Sequence, residues 1–354
     1  LFAIIDVRPG NAVSLHNIIV NGSSAENQFT GCGQDYVGIF YRDATGSLTT
    51  VGVNNIELPP SLQGCQDGLG VYVISDAGQT SNVGMSGLNV SSYDKNGITC
   101  HDAGTTCSIV HSTVSGSGPN PAIAQNGIEV LTTASTTIST DTVTGNSYTG
   151  GGNGNQASGL LLFDPGALSV QSNTISGNDV NVYLGSDGNG PLVGAQGVWV
   201  IHSNKVLNAT DNVPGGSAFY GDGIQVDSST NPHLTISDNT VTGSAADGID
   251  LLGASNLTVN GNPVTSSKAN GIELNANGSY TDAGASHNLI EHNTVRLSTG
   301  DGIVGDAGSS SNTIHGNNTS NNLRFDLEDQ GTGNVWTSDG CAPPNDSSPA
   351  GLCD

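Results

Sequence analysis

Basic residues are scarce in this chain: Lys and Arg together number 7 among 354 residues, against 31 Asp and Glu, giving a formal net charge of -24. That balance excludes a nucleic-acid partner, because binding to phosphates depends on basic side chains that neutralise them. It also excludes attraction to an anionic membrane surface, and a polyanionic substrate would need a bridging cation. No apolar run approaches the roughly 20 residues of a transmembrane helix, and no signal peptide is present. No Cys-x-x-Cys occurs, which argues against a zinc site. Aromatics make up 5% of the chain and Gly numbers 51, a composition that could suggest disorder, yet apolar residues recur throughout at the strand period of two, with short turns between.

What is present is a repeat. Asp222-Gly-Ile-Gln-Val-Asp227 returns as Asp247-Gly-Ile-Asp-Leu-Leu252, as Asn270-Gly-Ile-Glu-Leu-Asn275 and, more faintly, as Asp301-Gly-Ile-Val-Gly-Asp306. Each of the first three is followed by a second apolar strand and by an Asn set between apolar residues, as in Ile236-x-x-Asn239-x-Val241. Spacings of 25, 23 and 31 residues between Ile224, Ile249, Ile272 and Ile303 mark stacked coils, none of which buries a core alone. Extending the register predicts about twelve coils, with Ile5, Ile39, Val71, Ile98, Ile128, Leu160, Val180, Ile224, Ile249, Ile272, Ile303 and Phe325 in one inward column. Asn173, Asn204, Asn239, Asn262, Asn293 and Asn317 form a second ladder, in which side-chain amides satisfy turn backbone. The Asn or Asp before each Gly-Ile reads as a turn residue that tolerates left-handed backbone.

Six cysteines fall into local pairs. Cys32 and Cys65 sit at nearly the same point of adjacent coils, Cys100 and Cys107 flank a turn, and Cys341 and Cys353 close the tail, so three disulfides and an oxidising compartment are expected. Residues 1–335 read as one solenoid domain and 336–354 as a disulfide-closed cap. Leu1-Phe-Ala-Ile-Ile opens inside a strand, and a cap and a leader are expected to have preceded it. Uneven coils place long loops at Gly150-Gly-Gly-Asn-Gly-Asn155, Gly185-Ser-Asp-Gly-Asn-Gly190 and Asn208-Ala-Thr-Asp-Asn-Val-Pro-Gly-Gly216, where the walls of a binding groove are expected.

The Asn/Asp-Gly-Ile phrases and the Asn ladder resemble the right-handed parallel β-helix proteins of the pectate-lyase-like superfamily. Asn334-Val-Trp, Cys341 and Ser348-Pro-Ala-Gly-Leu-Cys353 look like the terminal cap of its secreted bacterial members, which implies an extracellular protein. The resemblance implies an all-β fold, a single right-handed parallel β-helix, and leaves activity open, since lyases, hydrolases, epimerases, fructotransferases and adhesins share that fold. The polygalacturonase set (Asn-Thr-Asp, Asp-Asp, Gly-His-Gly, Arg-x-Lys) is absent, and no lyase Lys/Arg motif stands out.

Strand alternation points the neighbours of each inward residue outward. The first outward column carries Phe40, Tyr72, Thr99, Glu129, Asn181, Gln225, Asp250 and Glu273; the second carries His101, Phe163, Tyr183, Asp227 and Asn275. Asp227, Asp250 and Glu273 on three consecutive coils are the candidate catalytic carboxyls, because like charges stacked about 4.8 Å apart drive their pKa values apart, as acid and base chemistry on a glycosidic bond requires. Phe40, Tyr72, Phe163 and Tyr183 could stack on sugar rings, with Gln225, Asn275, His101 and Glu129 as polar contacts to a polysaccharide or oligosaccharide. The plain alternative is an acidic, solvated stripe. Hydrolysis needs no cofactor. A uronate lyase or epimerase would need a base such as Lys95 and calcium to neutralise the uronate. A non-catalytic adhesin or glycan-binding rod is the third reading; ice binding is set aside, because the Thr-rich run from Thr132 to Thr144 follows one coil rather than ranking across coils. His287 and His292, five apart, are expected on opposite strand faces and so unable to share a metal.

Overall fold

In the computed structural model, residues 1–23, 28–150, 155–185, 197–212, 221–229, 231, 233–275, 284–343 and 346–354 are described. Their strands form three all-parallel sheets of 13, 12 and 11 strands, and the chain visits the three in turn until its C-terminal end, where a strand of the second sheet is followed directly by one of the first. The chain is a right-handed parallel β-helix of about twelve coils. The described residues group into an N-terminal unit, Leu1–Asp179 with Asn212–Gly216, and a C-terminal unit, Val180–Asp211 with Ser217–Asp354. The loops expected to wall a groove, at 151–154, 186–190 and 213–216, lie outside the described residues. Among the described residues, no helix is long and apolar enough to cross a membrane.

Ile224, Ile249, Ile272 and Ile303 stack in register in the first sheet and are fully buried, as the repeat predicts. Two assignments in the inward column are corrected. Val182, not Val180, pairs with Ile224, and Leu327, not Phe325, follows Ile303. In Val180–Gly185 both valines face inward, so a period of two alone could not choose between them. The shift moves Tyr183 from the second outward column to the first, opposite Gln225, and takes Asn181 out of it.

Glycine precedes each key isoleucine for a reason other than left-handed backbone. Gly248 has no positive φ, and neither has Asp247 before it. A Cβ on Gly248 would stand 2.3 Å from Val264 Cγ1 and 2.5 Å from the Gly271 carbonyl oxygen of the next coil, so the requirement there is steric.

The left-handed corners lie elsewhere. Ser203, Asp238, Gly261, His292, Gly316 and Ser338 all have φ between 53° and 69°, and each stands directly before a ladder residue: Asn204, Asn239, Asn262, Asn293, Asn317 or Asp339. The side-chain oxygen of Asn262 accepts the backbone N–H (2.9 Å) and the side-chain amide (3.1 Å) of Asn239, while its own Nδ2 donates to the Ile236 carbonyl (3.0 Å) and to Asn293 (3.0 Å). The same pattern runs on to Asn317, whose backbone and amide both donate to Asp339 Oδ1. In the N-terminal unit the ladder passes through Asp141, which takes Ser112 N on Oδ1 but leaves Oδ2 buried without a partner. A further ladder the sequence analysis missed runs through Asn288, Asn312 and Asn334. His287 is also a left-handed corner residue (φ 55°), so it and His292 sit at turns rather than on opposite faces of one strand.

The three expected disulfides are present, Cys32–Cys65, Cys100–Cys107 and Cys341–Cys353, with Cα separations of 5.3, 6.5 and 5.6 Å. Beyond residue 335, Val335–Thr337 joins the second sheet and Ser347–Ser348 the first.

Two substitutions test the ladder. Asn262→Ala orphans several buried groups and should lower the unfolding free energy by roughly 3 kcal/mol in guanidinium titrations, against little change for Asn82→Ala on an exposed strand position. Asp141→Asn supplies the missing donor and should stabilise by about 1 kcal/mol. Burial pushes the Asp141 carboxyl up to about 7, so its protonated form can donate at low pH, and the gain from Asn should grow as pH rises from about 4 to about 7 and level off above that.

Candidate active site

The first-sheet strands Ile224–Asp227, Ile249–Leu252 and Ile272–Asn275 of the C-terminal unit carry the predicted carboxyls. Their register places Gln225 beside Asp250 and Asp250 beside Glu273, with Asp227 beside Leu252 and Leu252 beside Asn275. The sequence analysis expects an open outward face here, and the structure corrects this. Asp227 is 1% exposed, Asp250 6% and Gln225 is likewise buried, while Glu273 and Asn275 are half-buried. The solvated-stripe alternative therefore fails for Asp227 and Asp250.

More acids join them than the alternation rule picked out. Asp222, Asp247, Asn270 and Asp301 form a corner ladder of their own: Asp222 Oδ1 accepts Asp247 N (2.9 Å), Asp247 Oδ1 accepts Asn270 N (2.6 Å), and Asn270 Oδ1 accepts Asp301 N (2.9 Å). In one of them the side chain also reaches the first outward position three residues on: Asn270 Nδ2 donates to Glu273 (3.1 Å). The signal was the recurring i, i+3 pair within Asn-Gly-Ile-Glu and Asp-Gly-Ile-Asp, which a strict strand reading overlooks. The Glu273 side chain interacts with those of both Asp247 and Asp306, and a carboxyl-to-carboxyl hydrogen bond in either pair requires a proton on one partner.

Burial is the leading cause of every shift in this cluster. It pushes Asp222, Asp247 and Asp306 up to about 7 and Glu273 up to about 8, with neighbouring acids adding to the effect. Asp250 rises well above the usual carboxylate range, by burial first and then by the charges of Asp222, Asp247, Glu273 and Asp227. Its Oδ1 is buried without a hydrogen-bond partner. At Asp227, Tyr183 Oη donates to Oδ2 (3.2 Å) and Ser228 Oγ to Oδ1 (2.9 Å). Tyr183 itself is buried, with its hydroxyl committed to the Asp227 carboxyl. Asp227 and Asp250 are diagonal neighbours on adjacent strands, a relation that sets residues roughly 7–8 Å apart.

The remaining predicted residues belong to the N-terminal unit. Phe40 is 2% exposed and packs on Tyr72, with ring centroids 5.5 Å apart, in a small apolar cluster with Val37 and Leu69, so it is not presented to a ligand. Phe163 is half-buried, in the strand that pairs Leu131 with it. Tyr72, His101 and Glu129 line a common pocket of about 340 Å³.

With this geometry in place, comparisons with known proteins add a family. Residues 151–345, more than half of the chain, match the family described as periplasmic copper-binding protein (NosD). The chain belongs to the NosD family. No curated protein matches it. Among solved structures, the Dettilon tailspike protein is 17% identical with a TM-score of 0.53, covering 84% of this chain and 55% of its own, so this NosD-family chain spans about half the tailspike's length. A double mutant of the periplasmic alginate epimerase AlgG is 12% identical with a TM-score of 0.50, covering 93% of this chain and 85% of its own. At these identities the likeness shows a shared fold.

Copper favours thiolate, thioether and imidazole ligands. All six cysteines here are in disulfides, the single Met, Met85, is buried in the core, and among the described residues no group of three His, Cys, Asp or Glu is placed to hold a metal ion. The rings of His292 and His315 meet edge to face at 5.7 Å, and His315 Nδ1 lies within hydrogen-bond distance of Thr337. The described residues do not fit a copper site.

The carboxyl cluster carries its own pH test. Its folded-state pKa values lie above the unfolded ones, so the stability it contributes is fully present below about pH 4 and is lost as pH rises through 7 to 8. Tm should fall between pH 5 and 8 and level off above that. Glu273→Gln, which cannot ionise, should make the decline shallower; parallel profiles for variant and wild type would contradict the shared-proton arrangement.

Proposed function

We propose that this NosD-family protein is a carbohydrate-active enzyme of an oxidising, extracytoplasmic compartment that cleaves or transfers a glycosidic bond with Asp250 as general acid and Asp227 as base. The observation that carries this reading is the pairing of a buried, proton-holding carboxyl with a free oxygen, Asp250, and a diagonal neighbour whose two oxygens take hydroxyl donors, Asp227. Asp250 would protonate the leaving oxygen while Asp227 activates water, and diagonal residues with backbones roughly 7–8 Å apart can leave between their carboxyls the room of about 6.5–9.5 Å that inversion needs. Glu273, next to Asp250 in register and bonded to Asp247 and Asp306, would supply the replacement proton. The three disulfides and the family's periplasmic description support the compartment. A polysaccharide or oligosaccharide substrate is supported by the chemistry of the acid pair, and the alginate epimerase neighbour acts on a glycan by name.

That neighbour also supports a second reading, uronate epimerisation or elimination with calcium. Incubation with neutral and uronate polysaccharides, following reducing ends and the absorbance of unsaturated products, separates the two. Asp250→Asn should reduce reducing-end release by at least about a hundredfold while Tm stays equal or rises, because the amide keeps the shape of the neutral carboxyl and cannot ionise. Undiminished turnover in that variant would overturn the assignment of Asp250.

A further inference from the structure

The pocket of the N-terminal unit lies apart in composition from the acid cluster and is built differently. Its floor is the first-sheet register Tyr72–Thr99–Glu129. Asn96, 2% exposed, donates through Nδ2 to Thr99 Oγ1 (3.1 Å) and to Glu129 Oε2, and its own oxygen accepts Asn126 Nδ2 (3.0 Å). Glu129 is thereby fixed in place. Lys95 Nζ is held by the Ala124 carbonyl at 3.0 Å, and burial lowers its pKa. Tyr72, half-buried, is braced by Phe40 on one side and meets the edge of His101 at 6.5 Å. Asp35 and Asp67 complete the acidic part of the lining, so three carboxyls face one lysine. Arg42, the nearby cation that could redress the balance, is bound on both sides of its fork by Asp76.

A cavity of about 340 Å³ with one aromatic ring, immobilised polar groups and a surplus of carboxyls has the size and chemistry for one or two hydroxyl-rich rings without negative charge. We propose that it is a binding site for a neutral sugar, with a ring face against Tyr72 and hydroxyls on Glu129 and Asp67, and that it discriminates against uronates. Selection arises from repulsion: a uronate carboxylate placed among Asp35, Asp67 and Glu129 meets like charge at short range. As carboxylates, Asp67 and Glu129 accept hydrogen bonds from sugar hydroxyls, the same ionised state that repels a uronate. This deepens the carbohydrate reading and rests on it, but not on the catalytic assignment.

The test is calorimetric titration of the full chain carrying Asp250→Asn, so that turnover does not consume the ligand, with cellotetraose, mannotetraose and xylotetraose against tetragalacturonate and tetramannuronate. At least one neutral tetrasaccharide should bind more tightly than either uronate. Adding Tyr72→Ala should weaken that binding by about tenfold, whereas Tyr72→Phe, which keeps the ring and its packing on Phe40, should bind as before and serves as the folding control. Glu129→Gln should narrow the gap between neutral and uronate ligands. The proposal is overturned if no neutral tetrasaccharide binds, if a uronate binds best, or if Tyr72→Ala with an unchanged Tm binds like its parent. A wild type that turns over no glycan would defeat the hydrolase reading and leave these titrations intact.

Discussion

A side-chain amide that reaches from one coil to the backbone of the one before is the interaction on which this structure depends. At each left-handed corner the chain swings out of a strand, and the N–H of the next residue loses its place in the sheet ladder. Asn239, Asn262, Asn293 and Asn317 answer this by donating that N–H to the Asn or Asp of the following coil. Both hydrogen-bonding halves of the amide are used, so the ladder fixes the height and the rotation of each coil together. Once those are fixed, the isoleucine column and every outward column follow.

Register of that strictness also multiplies whatever chemistry a coil displays. One acidic corner and one acidic strand position per coil are ordinary features; repeated over coils in register they become Asp222, Asp247, Asp250, Glu273 and Asp306, held closer than carboxylates tolerate in the ionised state. Protons resolve the conflict. The cluster is thus a consequence of stacking, and its acid strength is set by burial more than by any single neighbour.

Where repeats were regular, the sequence was a faithful guide. Ile224, Ile249 and Ile272 could be aligned by their phrase alone, and the disulfides followed from the same alignment. Legibility failed for three physical reasons. Between Leu160 and Ile224 the phrase is lost, and the Val-Asn-Val of residues 180–182 offers two inward positions that periodicity cannot rank. Outwardness, moreover, is a statement about direction and not about solvent: alternation told correctly that Asp227, Asp250 and Phe40 point away from the core, and had no means of telling that they are covered. The corner acids Asp222 and Asp247 escaped because a turn residue was assumed to serve only its turn, whereas their carboxyls stand both in a backbone ladder and in the cluster.

Asp339 gives the ladder a direction. It accepts from the backbone and the amide of Asn317 at 2.8 and 2.9 Å, and its second oxygen takes Thr337 N. A carboxylate has no side-chain amide to pass on, so of the two bonds that an Asn rung gives the next coil only the backbone one could continue from here, as it does from Asp141 N to Asn173. Stacked β-strands are natural templates for end-to-end polymerisation. A rung without the amide weakens that template: a strand-bearing partner docking past this corner would find at most a backbone donor where Asn262 and Asn293 each present a backbone and a side-chain donor.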